Sequence, residues 1–421
     1  MAADASPFEV LCNILLSIAP MARGRGVITK SEKGERMGRV VVIGAGIVGA
    51  ACTWYAAHAG WEVVLVDRGR PGAGTTSRGE GNLLVSDKGD GPELDLMRLS
   101  RRLWLELGDH LGRDRLELDE KGGLVVATSD AGLAGLRTFA AGQRAAGVDA
   151  IDVATAGDLR RLEPLLSDRL PGGVLYPEDL QVQPVLAADA LVAGARQRGA
   201  STRFGVEVEG AVTSGGRLTG VRLVGGEVLG ADAVVNAAGT WGGEVGVRLG
   251  APIPVLPRRG FILVTEPVGP LVRHKVYTAE YVDNVASNDA ALQTSTVVES
   301  TRGGTILIGA SRERVGYDAG MSPEVVARLA AGAVEIFPFL RRVDLLRVYR
   351  GFRPYCPDHL PVIGPDPRVP GVIHACGHEG AGIGLAAATG YLVARYLNGG
   401  PMPDEVPVSA FVPDRFAEVS V

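Results

Sequence analysis

Arg39-Val-Val-Val-Ile-Gly-Ala-Gly-Ile-Val-Gly-Ala-Ala-Cys52 runs from an apolar stretch through a glycine-rich turn into a row of small residues. Residues 40–43 are continuously apolar and β-branched, the pattern of a parallel strand buried on both faces. Gly44, Gly46 and Gly49 then stand as G-x-G-x-x-G. The first glycine permits a tight turn, the second lets a pyrophosphate approach the backbone, and the third lets a helix pack close to the strand. Ile47 and Val48 open that helix, whose free N–H groups and partial positive charge suit phosphate. A second apolar run over residues 62–66 ends at Asp67, about 20 residues on, where a carboxylate meets ribose hydroxyls. A glycine turn beside a surface aspartate in some other α/β protein would explain each feature singly. It would not explain strand, turn, helix, strand and acid together. The stretch predicts a dinucleotide site without saying which dinucleotide.

The rest of the chain limits the alternatives. Its 421 residues exceed one ordinary core, so two domains are expected. A net charge of −5 with no basic run argues against nucleic acid as a partner. Cys12, Cys52, Cys356 and Cys376 are scattered without C-x-x-C spacing. That pattern builds neither a zinc nor an iron–sulfur site and fits a reducing, cytoplasmic compartment, with no metal expected. Residues 1–36 look foreign to the fold. The apolar run over 10–19 is too short to span a membrane, and its upstream flank carries Asp4 and Glu9 but no Lys or Arg, unlike a secretory signal. The extension is expected to be disordered, or absent if translation starts at Met37. No other run is long enough to cross a membrane, so membrane association is expected to be absent or peripheral.

Arg68 opens a loop rich in glycine and hydroxyls that contains Thr75, Thr76, Ser77, Gly81 and Asn82, suited to wrapping a polar ligand. Periodicity predicts helices over 92–111 and 184–198, one capped by Asp130 running to about 146, one capped by Thr155, and one opened by Ser322 running to about 337. Strands are expected over 116–118, 123–128, 201–208, 261–265, 294–299 and 305–308, with a small meander over 217–223 and 227–229. Residues 233–241 form a second buried strand entering a tight turn. Residues 251–257 make a proline-rich crossing. Near the C-terminus a short strand over 372–375 enters a second glycine-rich turn, and a helix follows over 386–397.

These motifs, in order, resemble the D-amino acid oxidase-type FAD-dependent flavoproteins, among them glycine oxidase, sarcosine oxidase and D-amino acid dehydrogenase. The likeness rests on G-A-G-I-V-G, Asp67, the T-T-S-R-G loop, A-A-G-T-W, G-F-R-P-x-x-P-D-x-x-P-V-I-G and G-H-E-G-A-G-I-G-L, and runs from about Met37 to about Gly400. S-R-G-E-G-N-L-L-V-S-D-K and G-H-E-G-A-G-I-G-L-A-A-A-T-G look most like the FAD subunits of opine oxidase, D-hydroxyproline dehydrogenase and hydrogen cyanide synthase. The resemblance implies an α/β fold: a Rossmann-like FAD-binding domain of the GR2 type with an interleaved α+β substrate domain on an antiparallel sheet. The FAD-binding domain is expected over 37–92, 175–257 and 345–412, and the substrate domain over 93–174 and 258–344.

By the same resemblance the cofactor is non-covalent FAD. Gly44, Gly46 and Gly49 would hold its pyrophosphate and Asp67 its ribose. Thr76 and Ser77 would contact pyrophosphate and flavin, and Val208 would meet adenine through its backbone. Ala238, Gly239 and Trp241 would lie along the cofactor. The turn from Gly377 through Gly380, Gly382, Ile383, Gly384 and Leu385 would aim N–H groups at the flavin pyrimidine, where reduction places negative charge. Arg353 in G-F-R-P matches the arginine that grips a substrate carboxylate, for which a guanidinium fork is suited; a structural arginine on a strand is the alternative. His378 flanks the flavin turn and would tune the flavin or contact the substrate as a catalytic-site residue, with a structural role as the alternative; Glu379 beside it is an equally open candidate. Tyr277, Tyr281 and Tyr349 are further pocket candidates. Cys356 does not match the flavin-tethering cysteine of monomeric sarcosine oxidase, whose place is taken by Gly351. The strand over 305–309 lacks that enzyme's oxygen-activating lysine. The expected reaction is oxidation of the C–N bond of a small amino acid or secondary amine of the D-amino acid, glycine, sarcosine, D-hydroxyproline or opine class. A hydride would pass from the α-carbon to flavin N5, and the imine formed would hydrolyse. The alternative is an FAD subunit that passes electrons to partner subunits carrying iron–sulfur or a second flavin.

Overall fold

The computed structural model describes residues 37–281 and 289–416. The extension over 1–36, with Cys12, lies outside the described residues. Six strands form one sheet in the order Val362–Pro365, Val372–Cys376, Ala233–Asn236, Arg39–Ile43, Glu62–Asp67 and Ser201–Phe204. All pairs are parallel except the first. The opening strand is central and buried on both faces, as its unbroken apolar run requires. Val40 and Val42 enter one core, and Val41 and Ile43 enter another.

Helices Ile47–His58, Gly382–Asn398, Pro184–Gln197 and Pro92–Leu111 pack together beside the first core. Small residues set their separation: a Cβ on Gly390 would stand 2.6 Å from the Ala51 carbonyl carbon. The meander Val208–Ser214, Arg217–Leu223 and Val228–Gly230 covers the opposite face, joining Val208, Leu218 and Val221 to Val41 and Val234.

A second sheet has eight strands in the order Leu345–Tyr355, Leu256–Thr265, Ile306–Arg312, Gln293–Ser300, Lys275–Thr278, Gly123–Ala127, Gly172–Tyr176 and Ile151–Val153. Helix Pro323–Ile336 seals one face with Val325, Leu329 and Ile336. The other face is turned towards the six-stranded sheet and forms the floor of a cavity.

Several local expectations are corrected. The eight-stranded sheet is mixed, because Lys275–Thr278 runs parallel to Gly123–Ala127. Residues 345–355, expected with the FAD-binding segments, form an edge strand of this sheet by pairing along nearly the whole of Leu256–Thr265; residues 175–176, expected there too, continue the strand that begins at Gly172. Residues 116–118 are not a strand: Arg113–Leu116 is a helical turn, and Glu117 at φ 47 reverses the chain. Ser129, not Asp130, caps the following helix, its Oγ accepting from Gly132 N at 3.1 Å. The run over 201–208 is two strands, because Gly205 at φ 72 bends the chain between them.

Two glycines separate packing from propensity. Gly390→Val should lower unfolding stability by about 1–3 kcal/mol through overpacking. Gly142→Ala, on an exposed helix face with open space around it, should raise it by about 0.5–1 kcal/mol. Urea unfolding of the two variants measures both.

Candidate functional site

One elongated cavity runs between the two sheets, and most of the expected site residues line it. Gly44, Gly46, Ile47, Val48, Asp67 and Arg68 stand at one end, with Val208, Ala238, Gly239 and Trp241 alongside. Thr75, Thr76 and Asn82 lie between. Arg353, His378, Glu379, Gly380, Gly382 and Ile383 close the other end. Gly49, Ser77, Gly81, Gly377, Gly384 and Leu385 are not on the wall. A Cβ on Gly49 would overlap the Gly44 carbonyl, so that glycine permits the turn rather than touching a ligand. Ser77 Oγ instead faces the Gly74 carbonyl at 3.2 Å.

The glycine turn is held from three sides. Gly44, at φ 107, has no room for a Cβ against the Ala237 carbonyl. Asp67 accepts from Ala45 N and Gly69 N, both at 2.6 Å, so its carboxylate braces the turn as well as facing the cavity. Thr76 Oγ1 accepts from Ile47 N at 3.0 Å, at the start of the helix. The adjacent Thr75 Oγ1 donates to the Phe352 carbonyl at 2.6 Å, next to Arg353. Arg68 lies 4.3 Å over the Trp241 ring.

At the far end helix Gly382–Asn398 begins without a side-chain cap, leaving its first N–H groups for a ligand. His378 is buried, and its Nε2 lies 2.9 Å from Thr389 Oγ1. That hydroxyl already donates to the Leu385 carbonyl at 2.8 Å, so His378 Nε2 donates to it. Burial pushes His378 down to about 3. It is neutral at physiological pH.

Three glycines of the eight-stranded sheet make room for charged groups. A Cβ on Gly260 would overlap the Arg353 guanidinium, one on Gly309 the Glu80 carboxylate, and one on Gly351 the Arg78 chain. Arg353 thus crosses Gly260 and donates from Nη1 to the Ser311 carbonyl at 2.8 Å. Burial, then the neighbouring Arg312, brings its guanidinium down to about 10, so it stays charged near neutral pH. Glu379, left-handed at φ 46, pairs with Arg258 and, at 2.9 Å, with His359 Nδ1. Burial raises its carboxyl, but the His359 hydrogen bond and the arginine charges outweigh burial and hold it below its ordinary value.

The strand over 305–309 has no lysine, yet Lys275 arrives from the strand after next. Buried, it meets Asn82, Glu299 at 2.9 Å and Glu80 at 3.8 Å. Burial disfavours its charge, but Glu299 and Glu80 more than compensate and raise its pKa. Lys275, Glu299 and Arg312 lie in no motif, and Glu80 lies in one, S-R-G-E-G-N, that gave it no role. Their only signal was an isolated charge within an apolar strand or between glycines. Of the tyrosines, Tyr281 lines the cavity. Tyr277 lies behind the wall, donating to Ser86 Oγ at 2.5 Å, and Tyr349 points to the Gly79 carbonyl at 3.4 Å. Cys356 is buried off the wall with Ile253, Val255, Val362 and Cys376. Cys376 reaches the wall, but burial raises its thiol to about 12. No helix among the described residues is long and apolar enough to cross a membrane, and they hold no cluster suited to a metal ion.

The geometry fits FAD: a glycine cradle and a carboxylate at one end, an uncapped helix N-terminus at the other, and continuous space between. A family model described as DAO, FAD dependent oxidoreductase, matches residues 39–396. Hydrogen cyanide synthase subunit HcnC of Pseudomonas protegens is 32% identical over 264 residues, 62% of this chain and 59% of that protein, so the chain spans under two thirds of that relative's length. Glycine oxidase of Geobacillus kaustophilus is 29% identical over 363 residues, 84% of this chain and 91% of that protein. The crystal structure of glycine oxidase from Geobacillus kaustophilus superposes with a TM-score of 0.80 at 27% identity, covering 89% of this chain and 98% of that one.

Asp67→Ala should weaken FAD retention by about 10–100-fold, the loss of one charge-assisted hydrogen-bonding group; fluorescence of released flavin measures it. A second expectation concerns Asp179. It accepts from Val85 N at 2.8 Å and from the Ser86 hydroxyl, and burial pushes it from its ordinary 3.8 up to about 7. The folded state then holds a proton that the unfolded chain has lost. Asp179's contribution to stability is full below pH 3.8 and is lost as pH rises through about 7. Asp179→Asn should flatten that slope in chemical unfolding between these limits.

Proposed function

The chain belongs to the DAO family of FAD-dependent oxidoreductases, and we propose that it oxidises the C–N bond of a small amino acid or secondary amine that carries a carboxylate. The observation that carries this reading is Arg353, a half-buried guanidinium on the cavity wall with no carboxylate partner among the described residues. Ser311 fixes one nitrogen of its fork, leaving the rest for a planar anion. FAD, when bound, supplies the acceptor for a hydride from the substrate's α-carbon. The protein's own part is to bind and orient: Arg353, laid over Gly260, holds the carboxylate on the cavity wall. The amine arrives neutral, the hydride leaves with its electron pair, and water hydrolyses the resulting imine to carbonyl and amine. No acid or base is assigned. His378 is neutral and held by Thr389, which supports a structural role.

The FAD end rests on Gly44, Gly46, Asp67, Thr76, Val208 and Ala238, and the flavin end on Gly380, Gly382 and Ile383. Cys356 is off the wall and Cys376 is a protonated thiol, which favours non-covalent attachment. Acid precipitation should therefore leave the flavin in solution.

Anaerobic addition of glycine, sarcosine, D-amino acids or D-hydroxyproline should bleach the flavin with at least one of them. Arg353→Lys should raise KM for that substrate by about tenfold or more while leaving the visible spectrum unchanged. Absence of bleaching by every amine, or unchanged kinetics in the variant, overturns the proposal. A second reading is suggested by the relative named as a subunit: the chain passes electrons to partner subunits. Readmitted oxygen would then reoxidise the isolated protein slowly, with little peroxide.

A further inference from the structure

Beside Arg353 lies a second guanidinium that the proposed reaction leaves unused. Arg312 ends the strand Ile306–Arg312, directly after the Ser311 carbonyl that anchors Arg353. It is 3% exposed. Among the described residues its side chain has neither an ion-pair nor a hydrogen-bond partner, and its buried Nη1 is orphaned. Its guanidinium lies 4.6 Å from the ring of Tyr281, a cavity residue, and acts electrostatically on Arg353 and Glu379, two others.

The neighbouring buried cations are treated differently. Arg258 pairs with Glu379 and donates to Gln293 Oε1 at 3.0 Å, and Glu379's second oxygen takes His359. Lys275 faces Glu299 and Glu80. Only Arg312 and Arg353, side by side, lack an anion among these groups. Two like charges in a dry site repel and are each costly to desolvate, so the pair is stable only with anionic charge between or upon them. One carboxylate pairs directly with one of the two and leaves the other without a direct partner, reached only by the more distant charges of Glu80 and Glu379. Two carboxylates neutralise both.

We propose that Arg312 grips a second carboxylate, so that the substrate is an amine bearing two carboxylates, one on each guanidinium. The proposal rests on the amine-oxidising reading of this site and deepens it to a substrate class. It explains a feature that a simple amino acid leaves without a role: an arginine, rather than an apolar side chain, at the end of a buried strand.

The test uses the FAD-loaded protein and ligands that cannot react. Succinate, glutarate and butyrate are titrated while the visible spectrum of the flavin is followed. At least one dicarboxylate should bind about tenfold or more tightly than butyrate, the worth of one charge-assisted pair. In Arg312→Gln that affinity ratio should fall to near one, and in Arg312→Lys it should be partly kept. Equal binding of the three ligands to the unaltered protein overturns the proposal, as does an Arg312→Gln variant in which all three weaken alike. Should Arg312→Gln fail to fold, the comparison on the unaltered protein and on Arg312→Lys decides. Anaerobic reduction by iminodiacetate against sarcosine is the companion measurement. If no amine bleaches the flavin but the dicarboxylate preference stands, the oxidation reading fails and the second anion site survives.

Discussion

One short turn, Thr75–Arg78, holds the two sheets together where the cavity lies. Thr76 takes the N–H of Ile47 at the head of the first helix, and Thr75 gives its proton to the Phe352 carbonyl on the strand that carries Arg353. Arg78 then lies across Gly351, filling the space its missing side chain leaves. Each hydrogen bond contributes only about 1 kcal/mol. Their importance is geometric. They join the glycine turn at one end of the cavity to Arg353 at the other, so the reach between the two is set by a rigid turn rather than by a flexible linker. A bound FAD would be measured against that fixed span, and a substrate held by Arg353 would be positioned relative to it.

The floor of the cavity follows from the absence of side chains. Gly260, Gly309 and Gly351 lie on three strands of the eight-stranded sheet, and charged groups from elsewhere are laid over them. The result is a layer of charge within a nearly dry interior. Most of it is paired within the chain: Lys275 with Glu80 and Glu299, and Arg258 with Glu379. Buried charges persist only when paired. Arg312 and Arg353 have no ion-pair partner among the described residues, and the proposed substrate would supply it. Burial also moves the proton equilibria of His378 and Cys376 away from the physiological range.

The strand and turn over residues 39–49 were legible because their rules are local. An unbroken apolar run needs two buried faces, and G-x-G-x-x-G needs three close approaches of backbone; both are found. The same holds for Asp67, Arg353 and the helix after Gly382, each set in a dense motif. Errors arose where local pattern was ambiguous. Residues 116–118 alternate like a strand but turn at Glu117, and 345–355 carried motifs that said nothing of which sheet they would join. Lys275, Glu299 and Arg312 were invisible, and Glu80 in its glycine motif had no assigned role, since each is a single charge whose meaning lies in a neighbour distant along the chain. The sequence alone determined that a dinucleotide fold exists, that its ends lie near Gly44 and Gly382, and that Arg353 lies in a dense motif near the second end. Only the tertiary structure decided which charges are matched and which are left over. Pairing depends on strand order and on which glycines face the cavity, and no spacing along the chain encodes either.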